Sequence, residues 1–150
     1  MNKDVSINIK AIQRLDSDEH DTTELFTCGR LTHNQNLGGY TLSYDENEVI
    51  GFDKSKVSLD ITGDNMVIMR RTGDSNASLI IEKGKKHHCH YGTPYGDFMV
   101  GISAADVRCN LNDSDIGVSS GEMYLKYTVD INSKLMSENE MHIDFETVKE

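Results

Sequence analysis

The amino-acid sequence predicts an all-β protein that forms a closed barrel or a sandwich. About nine short stretches alternate apolar and polar residues, and each ends in a turn rich in Gly, Asn, Asp or Ser. Short links between these stretches predict antiparallel neighbours, because a parallel crossover needs a longer connection that is usually a helix. Closure into a barrel is favoured, since it removes the unpaired strand edges that promote aggregation.

The predicted strands of the amino-terminal half share this alternation. They cover residues 5–11, 24–33, 41–46, 56–62 and 66–72. In the second strand the phase is ambiguous, and we interpret Gly29 as marking a bend. Gly63 and Asp64 predict a two-residue hairpin turn, because glycine takes a positive φ without a steric clash. The strands on either side of that turn should therefore form an antiparallel pair.

The carboxy-terminal half continues the pattern. Its predicted strands cover residues 78–83, 98–111, 123–131 and 141–145, the second of them with a break near Ala104 to Asp106. The segment from His87 to Tyr91 is interpreted as a solvated polar loop. Thr93-Pro94-Tyr95-Gly96 predicts a type I turn, with Pro at the second position and Gly at the fourth. No segment shows a convincing helical period.

Length and charge narrow the function classes. With 150 residues the chain has the usual size of one domain, so residues 1–150 are expected to share one core. Its 25 acidic and 15 basic residues give a net charge of -10, which repels nucleic acid and anionic membrane surfaces. The first ten residues alternate and lack the apolar core of a signal peptide, and three widely spaced cysteines suit reduced thiols. A cytoplasmic location is therefore expected.

Four short motifs resemble a known family in their order and spacing. They are Tyr44-Asp45-Glu46, Arg71-Thr72-Gly73, Tyr91-Gly92-Thr93-Pro94-Tyr95-Gly96 and Tyr127-Thr128-Val129. Together they resemble the YwiB-like proteins, an uncharacterised bacterial family, over most of the chain from about Val5 to Phe145. The resemblance implies a calycin-like antiparallel barrel of about eight to ten strands, similar in outline to lipocalin and streptavidin folds. It implies no established activity.

Polar residues in inward phases are the candidates for a binding site, because small barrels are either filled by side chains or hold one small ligand. Tyr44 and Glu46 share the phase of Leu42, and one of Arg70 and Arg71 must point into the barrel. A buried arginine needs a carboxylate, and Glu46 is the expected partner. The full candidate set is Tyr44, Glu46, Arg70, Arg71, Tyr91, Thr93, Tyr95 and Tyr127. The alternative interpretation is a structural salt bridge near one end of the barrel.

The histidine-rich segment offers only weak candidates for a metal site. His88 and His90 fall on one face of an extended chain, but two ligands two residues apart seldom complete a tetrahedral site. Cys89 and its neighbouring histidines point to opposite faces and lack an orienting third group, so no catalytic dyad is assigned. We therefore expect no metal, no cofactor and no enzymatic activity.

The sequence leaves two functions of different classes open. The first is a barrel that binds a small molecule in its interior or at its mouth. The second is a filled barrel without ligand or catalysis, which acts as a protein interaction module or forms a homo-oligomer. Both rest on analogy at the level of the fold, and the presence of a cavity distinguishes them.

Overall fold

The computed structural model of the protein is a closed antiparallel barrel of ten strands. It describes residues 2–15, 20–34, 39–45, 55–62, 65–73, 76–93, 96–114 and 117–148. The strands are β1 (Asn2–Leu15), β2 (His20–Asn34), β3 (Gly39–Asp45), β4 (Lys56–Ile61), β5 (Met66–Thr72), β6 (Ala77–Glu82), β7 (Lys86–Thr93), β8 (Gly96–Ser114), β9 (Gly117–Ile131) and β10 (Lys134–Thr147). Each strand neighbours the next in sequence, and β1 pairs with β10. The predicted all-β antiparallel barrel is confirmed.

The pairing of β1 with β10 closes the barrel. Its register runs without interruption from Val5 opposite Thr147 to Leu15 opposite Ser137. Ile7 lies opposite Phe145 and Ile9 opposite Ile143, so the apolar phases of both strands face the interior together. A shift by one residue would turn these side chains to solvent, and this requirement specifies the register.

One half of the barrel is filled by aliphatic side chains. Leu42, Leu59, Ile81, Ile102 and Leu125 are 0% exposed and belong to one continuous apolar cluster. Such packing leaves little space among these five side chains, because interiors of this density contain few voids larger than a water molecule. This closed half lies toward the end of the barrel at which β2, β4, β6 and β8 end.

The segment from His87 to Tyr91, interpreted from sequence as a polar loop, is part of strand β7. Cys89 is 4% exposed and belongs to the core, whereas His88 and His90 are exposed on the outer wall. The sequence interpretation was wrong because only a cysteine and a tyrosine mark the inward phase, and neither is as apolar as the aliphatic residues of the other strands.

Two other local predictions concern the break in β8 and the role of Gly29 in β2. Pairing between β8 and β9 shifts between Ala104 and Asp106, which confirms the predicted break as a β-bulge within one long strand. At Gly29 a Cβ atom would clash with the carbonyl oxygen of Ser43, so the close approach of β3 requires a glycine there. The predicted turns at Gly63-Asp64 and around Pro94-Tyr95 lie outside the described residues.

Strands β6 and β7 are joined by fewer backbone pairs than the other neighbours. In the described part of the chain their register consists of Ala77 opposite Tyr91. Further along, side chains make the contact: the Ile80 N–H donates to Cys89 Sγ at 3.3 Å, and His87 Nε2 lies 3.0 Å from Glu82 Oε1. The Cys89 thiol thus supplies an acceptor where a sheet would normally use a carbonyl.

Replacing Cys89 with Val tests this contact. Valine keeps the apolar bulk but leaves the Ile80 N–H without its acceptor, so we expect the free energy of unfolding to fall by about 1 kcal/mol. Urea denaturation measures the change. The matched control is Cys28→Val on the exposed outer wall, with an expected change below about 0.5 kcal/mol. Equal stability of Cys89→Val and the unchanged protein would contradict the assignment.

Candidate functional site

The open half of the barrel lies at the opposite end, which we call the mouth. Strands β1, β3, β5, β7 and β9 end there, and the following strands begin there. Inward residues near the mouth are polar or aromatic as often as aliphatic. Tyr44 is 6% exposed, Tyr127 8% and Met69 9%, compared with 0% for Leu42 and Leu59 in the closed half. These three side chains are therefore buried, but less completely than the two leucines.

One row of inward residues crosses five neighbouring strands at the mouth. Strand registers place Tyr44 opposite Val57, Val57 opposite Arg71, Arg71 opposite Ala77, and Ala77 opposite Tyr91. Cross-strand neighbours have Cβ atoms about 5 Å apart. In this row Arg71 is flanked by Val57 and Ala77, whose side chains are smaller than those of the two tyrosines.

A second row closes the other side of the mouth. Tyr127 lies opposite Asn139, and Asn139 lies opposite Gln13. Gln13 Nε2 donates to Asn139 Oδ1 at 3.3 Å, and Asn139 Nδ2 donates to Ser137 Oγ at 3.0 Å. These hydrogen bonds give partners to Ser137 and Asn139, which are buried polar side chains that would be costly to bury alone. They also orient the amide side chains along the wall.

The two rows enclose a cavity of about 500 Å³. Its described polar and aromatic lining consists of Gln13, Asp21, Thr23, Tyr44, Arg71, Tyr91, Tyr127, Asn139 and Glu140. Aliphatic and thioether side chains complete it, among them Ile9, Leu25, Val57, Met69 and Met141. Both the size and the mixture of an apolar wall with a few convergent polar groups are typical of small-molecule sites.

Tyr127 is the most strongly perturbed titratable group in this cavity. Burial raises its pKa to about 12, nearby Tyr91 adds to the rise, and Arg71 opposes it. The phenol therefore stays protonated at neutral pH. Tyr127 Oη donates to the thioether sulfur of Met141 at 3.9 Å. Because sulfur is a weak acceptor, a ligand oxygen would be a better partner for this donor.

Of the two candidate arginines, Arg71 lines the cavity and Arg70 does not. Arg70 points to the outer wall, where Nη1 donates to Asp60 Oδ2. Asp60 is 3% exposed and also accepts a hydrogen bond from Thr41 Oγ1 at 2.8 Å. Arg70 is therefore removed from the candidate site, because the alternation of β5 directs Val67, Met69 and Arg71 inward and Arg70 outward.

The remaining candidate residues lie in different places relative to the cavity. Tyr44, Tyr91 and Tyr127 all line the cavity. Glu46 and Tyr95 lie outside the described residues, and the backbone of Thr93 lies opposite Gly96 at the start of β8. His88 and His90 are exposed, and no group of three or more ligating side chains occurs among the described residues.

Sequence reasoning missed Gln13 and Asn139. A signal was present, since Gln13 continues the inward phase of Ile7 and Ile9, and Asn139 continues that of Ile143. Both were passed over because a polar residue in an inward phase looks like the end of a strand. Extending the phase two residues past the last apolar position would have placed them in the barrel.

Fold and site together define a closed antiparallel β-barrel with a polar cavity at one end. Residues 7–143 match the family model described as Domain of unknown function (DUF1934), and the chain belongs to that family. The crystal structure of the ywiB protein from Bacillus subtilis is similar, with a TM-score of 0.81, 17% identity, and coverage of 99% of this chain and 94% of that one. This likeness shows the fold and confirms the resemblance seen in the sequence. No curated protein matches the chain.

The described residues contain no helix that is long and apolar enough to cross a membrane.

Ionisation of Tyr127 should make stability depend on alkaline pH. Its pKa is about 12 in the folded protein, against 10.0 for an ordinary tyrosine, so the folded state binds the phenolic proton more tightly. This contribution is complete below about pH 10 and is lost as the pH rises toward about 12. We expect stability to fall less steeply over that range in Tyr127→Phe than in the unchanged protein, as measured by urea denaturation. Parallel curves would contradict burial of the phenol.

Arg70 should contribute to stability through Asp60. Arg70→Gln leaves a buried carboxylate without its cation, and because Arg70 is half exposed we expect a loss of about 1 kcal/mol in the free energy of unfolding. The control is Arg30→Gln, whose guanidinium lies 3.9 Å from Asp4 on the exposed wall. That change should cost less than about 0.5 kcal/mol. A larger loss in the control than in Arg70→Gln would overturn the assignment.

Proposed function

We propose that this protein binds a small molecule in the cavity at the mouth of the barrel. The observation that carries the proposal is the change of lining between the two halves. Aliphatic side chains fill the closed half, whereas Arg71, three tyrosines and two amides surround a cavity of about 500 Å³ in the open half. A barrel filled by aliphatic side chains throughout would contain neither these polar side chains nor the cavity between them.

The free-energy cost of the unoccupied cavity and of its buried phenol supports the same proposal. Apolar side chains that face water in an open cavity contribute less stability than packed ones, and buried polar groups cost stability when their partners are weak. Tyr127 is such a group, because its phenol is buried and donates to a thioether at 3.9 Å. A bound molecule would recover both losses, by covering the apolar wall of the cavity and by offering an oxygen to the phenol.

The proposal includes a cytoplasmic location. Cys28 carries an exposed free thiol and Cys89 a buried one. Free thiols are typical of a reducing compartment, and an exposed one would be prone to oxidation outside it.

Native mass spectrometry of protein purified without denaturation tests the binding function. We expect a reproducible excess mass that disappears when the protein is denatured. In Ala77→Phe a ring occupies the space between Arg71 and Tyr91, so the excess mass should be lost. Ser78→Phe is the matched control, because Ser78 is exposed on the outer wall and the same ring there leaves the cavity open.

Two outcomes would count against the proposal. The bare mass of the chain in all preparations would indicate an empty barrel, and an excess mass retained by folded Ala77→Phe would place the occupant elsewhere. Whole multiples of the bare chain mass without any excess would favour the alternative function, a protein interaction module or homo-oligomer.

A further inference from the structure

Three polar side chains are buried among the described residues that line the cavity. Tyr44 is 6% exposed, Tyr127 8% and Asn139 9%. Asn139 takes part in two side-chain hydrogen bonds, and Tyr44 has an interaction of its own within the protein. The hydroxyl of Tyr127 donates to Met141 Sδ at 3.9 Å. Because a thioether is a weak acceptor, Tyr127 is a buried donor without a strong partner among the described residues.

The wall beside this phenol is apolar. Met141 lies opposite Ala11 on β1, and Ile9 lies opposite Leu25 on β2. All four residues line the same cavity as Tyr127. Aliphatic side chains contribute free energy when a ligand covers them, and a thioether adapts to irregular shapes. An occupant that reaches Tyr127 should therefore have an apolar body.

The phenol also shows whether a negative oxygen is favoured at this position. Burial raises the pKa of Tyr127 to about 12, although nearby Arg71 favours the phenolate. Asp21 and Glu140 line the same cavity, so an anion would meet two like charges there. Removal from water penalises a charged ligand oxygen as it penalises the phenolate. The acceptor that Tyr127 contacts should therefore be uncharged.

A carbonyl oxygen fits this donor. It accepts hydrogen bonds and brings no donor that would need a further partner. The phenolic hydrogen rotates about its C–O bond, so Tyr127 can turn from Met141 Sδ to a ligand oxygen while its ring stays packed in the core. Because oxygen is the stronger acceptor, this exchange is favourable once the cavity is occupied.

We propose that the cavity binds an uncharged organic carbonyl compound, whose oxygen replaces Met141 Sδ as the acceptor for the Tyr127 hydroxyl. The apolar body of the ligand covers the wall formed by Ile9, Leu25 and Met141. This inference rests on the proposed binding function and names the class of ligand. Burial would penalise an anion, whereas a hydrocarbon would cover the wall but leave the phenol with its thioether.

Three probes of similar size and shape test the ligand class in NMR chemical-shift titrations of the isotopically labelled full chain. Acetophenone carries a neutral carbonyl, benzoate carries an anionic carboxylate, and ethylbenzene carries neither. We expect acetophenone to bind at least about tenfold more tightly than benzoate, because burial penalises the charge. Shifts of the Tyr127 and Met141 amides verify that each probe occupies the cavity.

Replacing Tyr127 with Phe separates the hydrogen bond from the apolar contact. This change should weaken acetophenone binding about fivefold, because a neutral hydrogen bond is lost, and should alter ethylbenzene binding by less than about twofold. The matched control is Tyr124→Phe. Tyr124 lies on the outer wall, where its ring centroid is 4.7 Å from that of His142, and its replacement should affect neither probe. Circular dichroism verifies that each variant is folded.

Replacing Met141 with Leu removes the competing acceptor and keeps a similar side-chain volume. The phenol of the unliganded protein then loses its partner, so a ligand oxygen gains more by binding it. Acetophenone should therefore bind at least about twofold more tightly to this variant, whereas ethylbenzene binding should be unchanged.

The ligand class is overturned if benzoate binds as tightly as acetophenone, if Tyr127→Phe affects both neutral probes equally, or if none of the probes binds. Acetophenone binding that is unchanged or weaker in Met141→Leu would also contradict it. An excess mass in native spectra together with any of these results would retain the binding function and reject the ligand class. Failure of the ligand class and failure of the binding function are therefore distinguishable.

Discussion

Closure of the sheet between β1 and β10 is the constraint on which the rest of the structure depends. Once these strands pair from Val5 opposite Thr147 to Leu15 opposite Ser137, every strand has two neighbours and one face directed to a shared interior. Because successive side chains of a strand point to opposite faces, the position along the strand then determines which side chains face the interior. Arg71 is inside and Arg70 outside for this reason alone, and adjacent residues of identical type acquire separate roles: one lines a cavity and the other neutralises a buried carboxylate on the wall.

Packing in the closed half holds the strands that form the mouth in position. Leu42, Leu59 and Ile81 are fully buried a few residues from Tyr44, Val57 and Ala77 on the same strands. Packing there holds the strands in register, so the row through Arg71 and Tyr91 is positioned by strands and not by loops. A site supported in this way can keep donors such as Tyr127 in place without a ligand. The stability of the filled half offsets the cost of the cavity in the other.

Much of this arrangement was readable in the sequence, because it follows from period-two alternation. The antiparallel barrel, the break near Ala104 to Asp106 and the inward phase of Tyr44 were all predicted and are confirmed. Strand β7 was not predicted, since Cys89 and Tyr91 are weak markers of an inward face. Gln13 and Asn139 were missed because each is a polar residue that continues an inward phase past the last apolar position. Their contact could not be predicted, since it joins residues 126 apart in sequence and forms only through closure. The burial of Asp60 was also missed, because it depends on hydrogen bonds from Arg70 and Thr41 on the two neighbouring strands.

The most direct measurement is a crystal structure of the protein purified under native conditions. We expect an open mouth, with Arg71, Tyr91 and Tyr127 directed into a cavity near 500 Å³ that contains density for a bound molecule or for ordered water. Density between Tyr44 and Tyr91 would locate the occupant along the row of inward residues that connects them. A mouth filled by the protein's own side chains, with no cavity between the two rows, would contradict a binding site at this end of the barrel.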